Sequence, residues 1–128
     1  MLRPPKAPYE TTVSSPSPDE PAPAVRRVWM RVTAYCPCRR CCGRWARYRR
    51  TASGASVTAN GGEFVAADTR FLPFGTRVRL PGYAGGRWVP VLDRGARIKG
   101  NRLDVYFTSH TVAKRWGVKW IWVEVLEE

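Results

Sequence analysis

The chain has 128 residues, with 22 Lys and Arg against 10 Asp and Glu, a net charge of +12 and a pI near 10.5. That length fits one domain with a modest core and excludes two, and no run of eighteen apolar residues is available to cross a membrane. The excess of base predicts an anionic partner, namely nucleic acid, anionic lipid or an acidic cell-wall polymer, without choosing among them.

Residues 1–24 hold seven of the eleven prolines, mixed with Ser, Thr and Ala, and read as a disordered Pro-rich linker ahead of a single domain at 25–128. The first twenty residues lack the apolar stretch of a secretory signal. A tether of this composition commonly joins a domain to an anchor or another module, so the expectation is that something lies upstream.

In Val28 to Tyr35 the even positions are apolar while Arg31 and Thr33 face the other way, which predicts a half-buried strand. All four cysteines follow at once, as Cys36, Cys38, Cys41 and Cys42. They allow three complete pairings, and a bond between the adjacent Cys41 and Cys42 would be strained. Zinc is the rival, although an all-cysteine site usually draws its ligands from two separated knuckles. Disulfides or inert thiols are the first reading, a metal site the second, and redox catalysis by Cys38-x-x-Cys41 a distant third. Six arginines between Arg39 and Arg50 then mark a basic contact patch.

Further strands are predicted over 63–67, 76–80, 87–92, 103–107 and 119–126, separated by Gly-, Pro- and Asn-rich turns. One short helix is predicted at 110–116, with Ser109 as N-cap and Gly117 at its left-handed end. His110, the only histidine, is expected to cap that helix or lie on the surface. Six short strands with one brief helix argue for a small closed or nearly closed barrel, which leaves no exposed sheet edges.

Acidic residues are scarce in this basic domain. Between Arg26 and Val123 they are only Glu63, Asp68, Asp93 and Asp104, against twenty Lys and Arg. Alternation puts Leu103, Val105 and Phe107 on one face, so Asp104 and Tyr106 point away from the core or into a polar cleft. If the three aspartates converge, mutual repulsion raises at least one pKa above the ordinary value of about 3.9. A carboxyl protonated near neutrality can donate to a leaving oxygen. The plainer reading is that each aspartate neutralises a nearby arginine.

Seven ordered stretches carry a family resemblance: Val32-Thr-Ala-Tyr35-Cys-Pro-Cys38 with Cys41-Cys42-Gly43, Thr51-Ala-Ser-Gly54, Val65-Ala-Ala-Asp68, Leu72-Pro-Phe-Gly-Thr76, Leu92-Asp93-Arg-Gly95, Ile98-Lys-Gly100-Asn-Arg-Leu-Asp104-Val-Tyr-Phe107 and Ala113-Lys-Arg-Trp-Gly117. Together they resemble the 3D domain, named for its three aspartates, and the catalytic domain of membrane-bound lytic transglycosylase A and stationary-phase muralytic enzymes. The resemblance implies an all-β fold, a six-stranded double-psi β-barrel with one short helix. It also implies cleavage of peptidoglycan glycan strands between N-acetylmuramic acid and N-acetylglucosamine, leaving a 1,6-anhydro end.

By position, Asp104 corresponds to the aspartate acting as acid and then base, supported by Asp93 and Asp68. Thr33, Tyr35, Gly95 and Lys99 are expected to bind the sugar. Where the family usually reads Asp-Thr-Gly-Gly-Ala-Ile-Lys-Gly, this chain has Asp93-Arg-Gly-Ala-Arg-Ile-Lys-Gly100, so Arg94 and Arg97 are expected to flank the cleft. No nucleotide-binding glycine fingerprint or His-Glu-x-x-His occurs, and no cofactor is expected. The expected partner is peptidoglycan rather than nucleic acid, and the expected location is extracytoplasmic, in the cell wall or periplasm. The alternatives are a noncatalytic wall-polysaccharide binder and, less favoured, a basic nucleic-acid binder.

Overall fold

The computed structural model describes residues 12–13 and 24–127. Strand β1 is Thr12–Val13 and β2 is Ala24–Tyr35. Most of the residues read as a linker, 1–24, lie outside the described ones, but Thr12 and Val13 pair antiparallel with Arg26 and Val25. Along β2 the predicted alternation holds. Val28, Met30 and Val32 are buried and Trp29, Arg31 and Thr33 are half-buried on the opposite face.

After β2 the chain makes a one-turn helix, α1 (Arg39–Cys42), and a 3₁₀ stretch at Gly43–Tyr48. The remaining elements are β3 (Val65–Ala67), β4 (Arg77–Arg79), β5 (Val89–Asp93), β6 (Arg102–Tyr106), α2 (His110–Trp116) and β7 (Lys119–Glu127). Neither α1 nor the 3₁₀ stretch has an apolar period that could announce it. Strand β3 begins two residues later than predicted because the Phe64 N–H bonds to the Tyr83 hydroxyl (3.1 Å) instead of a strand neighbour.

The strands pair in the order β2-β6-β3-β5-β4-β7, and β7 returns to β2 through nine antiparallel partners from Ala24↔Glu127 to Val32↔Lys119. This is the expected small all-β double-psi barrel with one main short helix. Within an otherwise antiparallel ring, β2·β6 and β3·β5 run parallel. Val32, Val65, Val91, Leu103, Val105 and Val123 are wholly buried in the interior, so the lumen is a packed core rather than a channel.

Ser109 Oγ accepts the Val112 N–H (3.4 Å) and caps α2. Gly117 ends it with φ 71° and ψ −142°, a region almost closed to residues with a side chain. The Trp116 indole N–H bonds to the Val32 carbonyl (3.3 Å), seating the helix on the barrel. Tyr83, only 2% exposed, donates its hydroxyl proton to the Tyr106 carbonyl (2.6 Å) while accepting from Phe64 N.

Tyr83→Phe strands the Phe64 N–H and the Tyr106 carbonyl in a dry environment. The expected loss is about 1–3 kcal/mol of unfolding free energy, read by urea denaturation. A loss below about 0.5 kcal/mol would show that these groups do not depend on the Tyr83 hydroxyl.

Candidate functional site

The outward faces of four strand positions fall into one row. Register places Thr33 beside Asp104, Asp104 beside Ala66, and Ala66 beside Asp93. Two aspartates therefore flank an alanine, with their backbones two strand spacings, about 10 Å, apart. The methyl of Ala66 leaves open the space between them. Above it lies a cleft of about 760 Å³, lined by Asp93, Asp104, Ala66, Tyr35, Ile98 and Tyr106 among others.

Each carboxyl has a different surround. Asp93 accepts the Ala52 N–H (2.8 Å), the Arg94 N–H (3.0 Å) and the Tyr35 hydroxyl (2.8 Å), which fixes its orientation from three sides. Asp104 accepts one described hydrogen bond, from Thr33 Oγ1 at 3.0 Å. Burial pushes the Asp104 carboxyl up to about 6. The Thr33 hydrogen bond and the Arg102 guanidinium oppose that shift, and the Asp93 charge adds to it. Repulsion within a three-aspartate cluster, the cause expected from sequence, is thus secondary to desolvation.

Asp68 does not join the other two. It is 6% exposed and takes the Arg70 side chain on both oxygens (3.2 and 3.3 Å) and the Gly100 N–H on Oδ2 (2.9 Å). Arg70 first, then Gly100, hold it well below the usual carboxylate range. Its backbone carbonyl also accepts from Phe71 and Leu72. Asp68 thereby ties the turn after β3 to the loop before β6, supporting the cleft wall without facing the cleft.

The predicted sugar-binding residues divide. Tyr35 and Gly95 line the cleft, while Thr33 reaches it only through Asp104. Lys99 is exposed and outside the lining, and so is Arg97. Arg94 lines the cleft with its guanidinium 5.8 Å from the Phe74 ring centroid. The cation that acts on Asp104 is Arg102, two residues away on the same face of β6. Thr51, Ala52 and Gly54 form a wall, and Arg49 and Arg50 contribute the basic rim. Tyr106 shares the outward side with Asp104, yet it is buried, stacked on Phe64 with ring centroids 4.3 Å apart and packed with Val57. The loop 49–64 folds over that face, which strand alternation cannot foresee.

The cysteines gather at one end of the cleft as free thiols, with Cys36 Sγ 3.0 Å from Cys38 Sγ and 3.4 Å from Cys41 Sγ. His110 is half-buried, and the cap of α2 is Ser109. Its Nδ1 lies 3.5, 3.3 and 3.6 Å from Cys36, Cys38 and Cys41 Sγ. These four side chains form a group able to hold a metal ion. Cys42, counted with the other three from sequence, turns away and donates to the Cys36 carbonyl (3.2 Å).

A family model described as the 3D domain matches residues 63–127, just over half of the chain, a span that contains all three aspartates. The chain is 34% identical over 77 residues to YabE of Bacillus subtilis (strain 168), named for cell wall shaping, covering 59% of this chain and 18% of YabE. It is 36% identical over 77 residues to the cell wall-binding protein YocH of the same organism, covering 59% and 26% of the two chains. It is also 40% identical over 72 residues to RlpA of Aquifex aeolicus (strain VF5), named as a probable endolytic peptidoglycan transglycosylase, covering 55% and 29%. The chain thus spans less than a third of the length of each of these curated relatives.

Because folded Asp104 holds its proton more tightly than the unfolded chain does, its contribution favours folding below the ordinary value of 3.8 and is lost as pH rises through about 6. Asp104→Asn removes the buried charge. The variant should gain about 2–3 kcal/mol on the wild type between pH 4 and pH 8, measured by urea denaturation at both. Parallel pH profiles for the two proteins would contradict the burial of this carboxyl.

Proposed function

The chain belongs to the 3D domain family, and from that premise we propose that it is a peptidoglycan lytic transglycosylase with Asp104 as acid and then base. The observation that carries this reading is a cleft that sets Asp104, whose carboxyl burial pushes up to about 6, beside a second, firmly oriented carboxyl. The name of RlpA supplies the substrate class, and those of YabE and YocH supply the cell wall setting.

The chemistry balances with the groups present. Asp104 gives its proton to the glycosidic oxygen as the bond from C1 to that oxygen breaks. The 6-hydroxyl of the same N-acetylmuramic acid then attacks C1 and closes the anhydro ring, and its proton passes to Asp104, restoring the starting state. Two-carboxylate glycosidases need a second residue to act as nucleophile or activate water. Here the substrate supplies the nucleophile, and a well-aligned intramolecular attack carries an effective molarity of roughly 10⁵ M or more. Asp93, held in place by three hydrogen bonds, is oriented to stabilise the positive charge that develops at C1. Asp68 acts only by positioning the loop that carries Ile98 and Gly100.

A second reading is a wall-binding module without catalysis. It is favoured by the basic rim of Arg49 and Arg50 and by the binding role in the name of YocH. Both readings place the protein outside the cytoplasm.

Mass spectrometry of digested sacculi separates them. The wild-type chain should release fragments ending in 1,6-anhydro-N-acetylmuramic acid, at a rate that falls as pH rises above about 6. Asp104→Asn should release at least roughly a hundredfold less while still sedimenting with the wall. Sedimentation without anhydro products from the wild type would leave the binding module, and equal yields from both proteins would remove Asp104 from its role.

A further inference from the structure

We infer that Cys36, Cys38, Cys41 and His110 form a tetrahedral structural zinc site that fastens the arginine-rich loop 37–50 to the start of α2. The inference rests on side-chain geometry alone and stands whether or not the cleft is catalytic.

Topology brings the ligands together. The parallel pairing of β2 and β6 continues through the Phe107 N–H to the Tyr35 carbonyl (2.8 Å), so the two strands end side by side. Cys36 leaves one strand there, and His110 follows the end of the other by a few residues. The Cys38 carbonyl accepts from both Cys41 N (3.1 Å) and Cys42 N (2.9 Å), which closes a turn and brings Cys41 back over Cys36.

The spacing suits the ion. Bonds of about 2.3 Å to sulfur and about 2.0 Å to nitrogen at tetrahedral angles set ligand sulfurs about 3.8 Å apart and sulfur–nitrogen pairs about 3.6 Å apart. The three distances to His110 Nδ1 run from 3.3 to 3.6 Å. The sulfurs, at 3.0 and 3.4 Å, need open by less than about 1 Å to seat zinc. A disulfide would need them to close to about 2.0 Å and would leave the imidazole facing a third thiol. Three thiolates and one imidazole fill all four positions, which is the closed donor set of a structural rather than a catalytic zinc.

The loop also needs a fastening. Between Cys36 and Val57 the only buried residue among those described is Thr51, so the described residues contribute little hydrophobic packing to hold α1 and the 3₁₀ stretch in place. Yet Pro37, Cys41, Ala46, Tyr48 and Arg49 form one wall of the cleft. A metal bound by residues far apart in sequence supplies the order that the missing core does not.

The test uses the full chain, purified without chelator under nitrogen. Elemental analysis and native mass spectrometry should find one zinc per chain, and cobalt(II) exchange should give sulfur-to-cobalt charge-transfer bands with the visible bands of a tetrahedral site. In competition with a chromophoric chelator, Cys38→Ser and His110→Ala should each weaken zinc binding at least roughly tenfold, whereas Cys42→Ser should match the wild type. The cobalt spectrum needs no variant, so it decides the question even if a substitution unfolds the loop. A wild-type chain that takes up neither metal, a mass deficit of four hydrogens from two disulfides, or unweakened zinc binding by His110→Ala would each overturn the assignment.

Discussion

Everything at the cleft depends on how β2, β6, β3 and β5 are laid side by side, because that register puts Asp104 and Asp93 on either side of Ala66. Barrel closure through β7 fixes the register. A slip of one residue in any of these strands would send Asp104 into the apolar interior and Leu103 out of it. The penalty for such a slip is the burial of a charge among wholly enclosed aliphatic side chains, and that protects the arrangement. The same strands that build the core therefore set the separation of the two backbones, and the Ala52 N–H from the loop orients the Asp93 carboxyl.

Three aspartates that look alike in sequence take on three physical states. Asp68 is saturated by a guanidinium and a backbone amide, and its charge is spent on holding two turns together. Asp93 is saturated by two backbone amides and a tyrosine hydroxyl and faces the cleft. Asp104 has one described donor, and burial pushes its carboxyl up to about 6. Around them the surplus of base is not uniform. Arg102 acts on Asp104 from the same strand, whereas Arg94 lines the cleft beside the Phe74 ring and Arg97 lies outside the lining. A strongly basic surface around such a cleft also raises the local concentration of an anionic polymer and speeds its capture.

The strands were legible because period-two alternation reports burial directly, and in β2 it identified Val28, Met30 and Val32 as inner residues. The longer helix, α2, was legible from Ser109 and Gly117, whose local chemistry does not depend on tertiary context. Alternation says which face a residue occupies but not what covers that face, so the burial of Tyr106 under the loop 49–64 could not be read. The family motif order supplied the candidacy of all three aspartates. Only coordinates reveal that Asp68 turns aside, since Arg70 lies two residues away and Gly100 thirty-two. His110 was missed for a similar reason: its partners are more than sixty residues distant, and they meet it only because β2 and β6 run parallel. A lone histidine just past a strand that pairs with the strand leading into a cysteine cluster is the signal that could have found it.

The claim on which the functional account turns is that desolvation, and not a neighbouring charge, raises the Asp104 carboxyl to about 6. Carbon-detected NMR of the carboxyl groups, titrated in the wild type and in Asp93→Asn, measures this directly. The account predicts an Asp104 midpoint near 6 in the wild type, with only a small downward shift when the Asp93 charge is removed. A wild-type midpoint at the ordinary aspartate value, or one that falls all the way to it in Asp93→Asn, would contradict it.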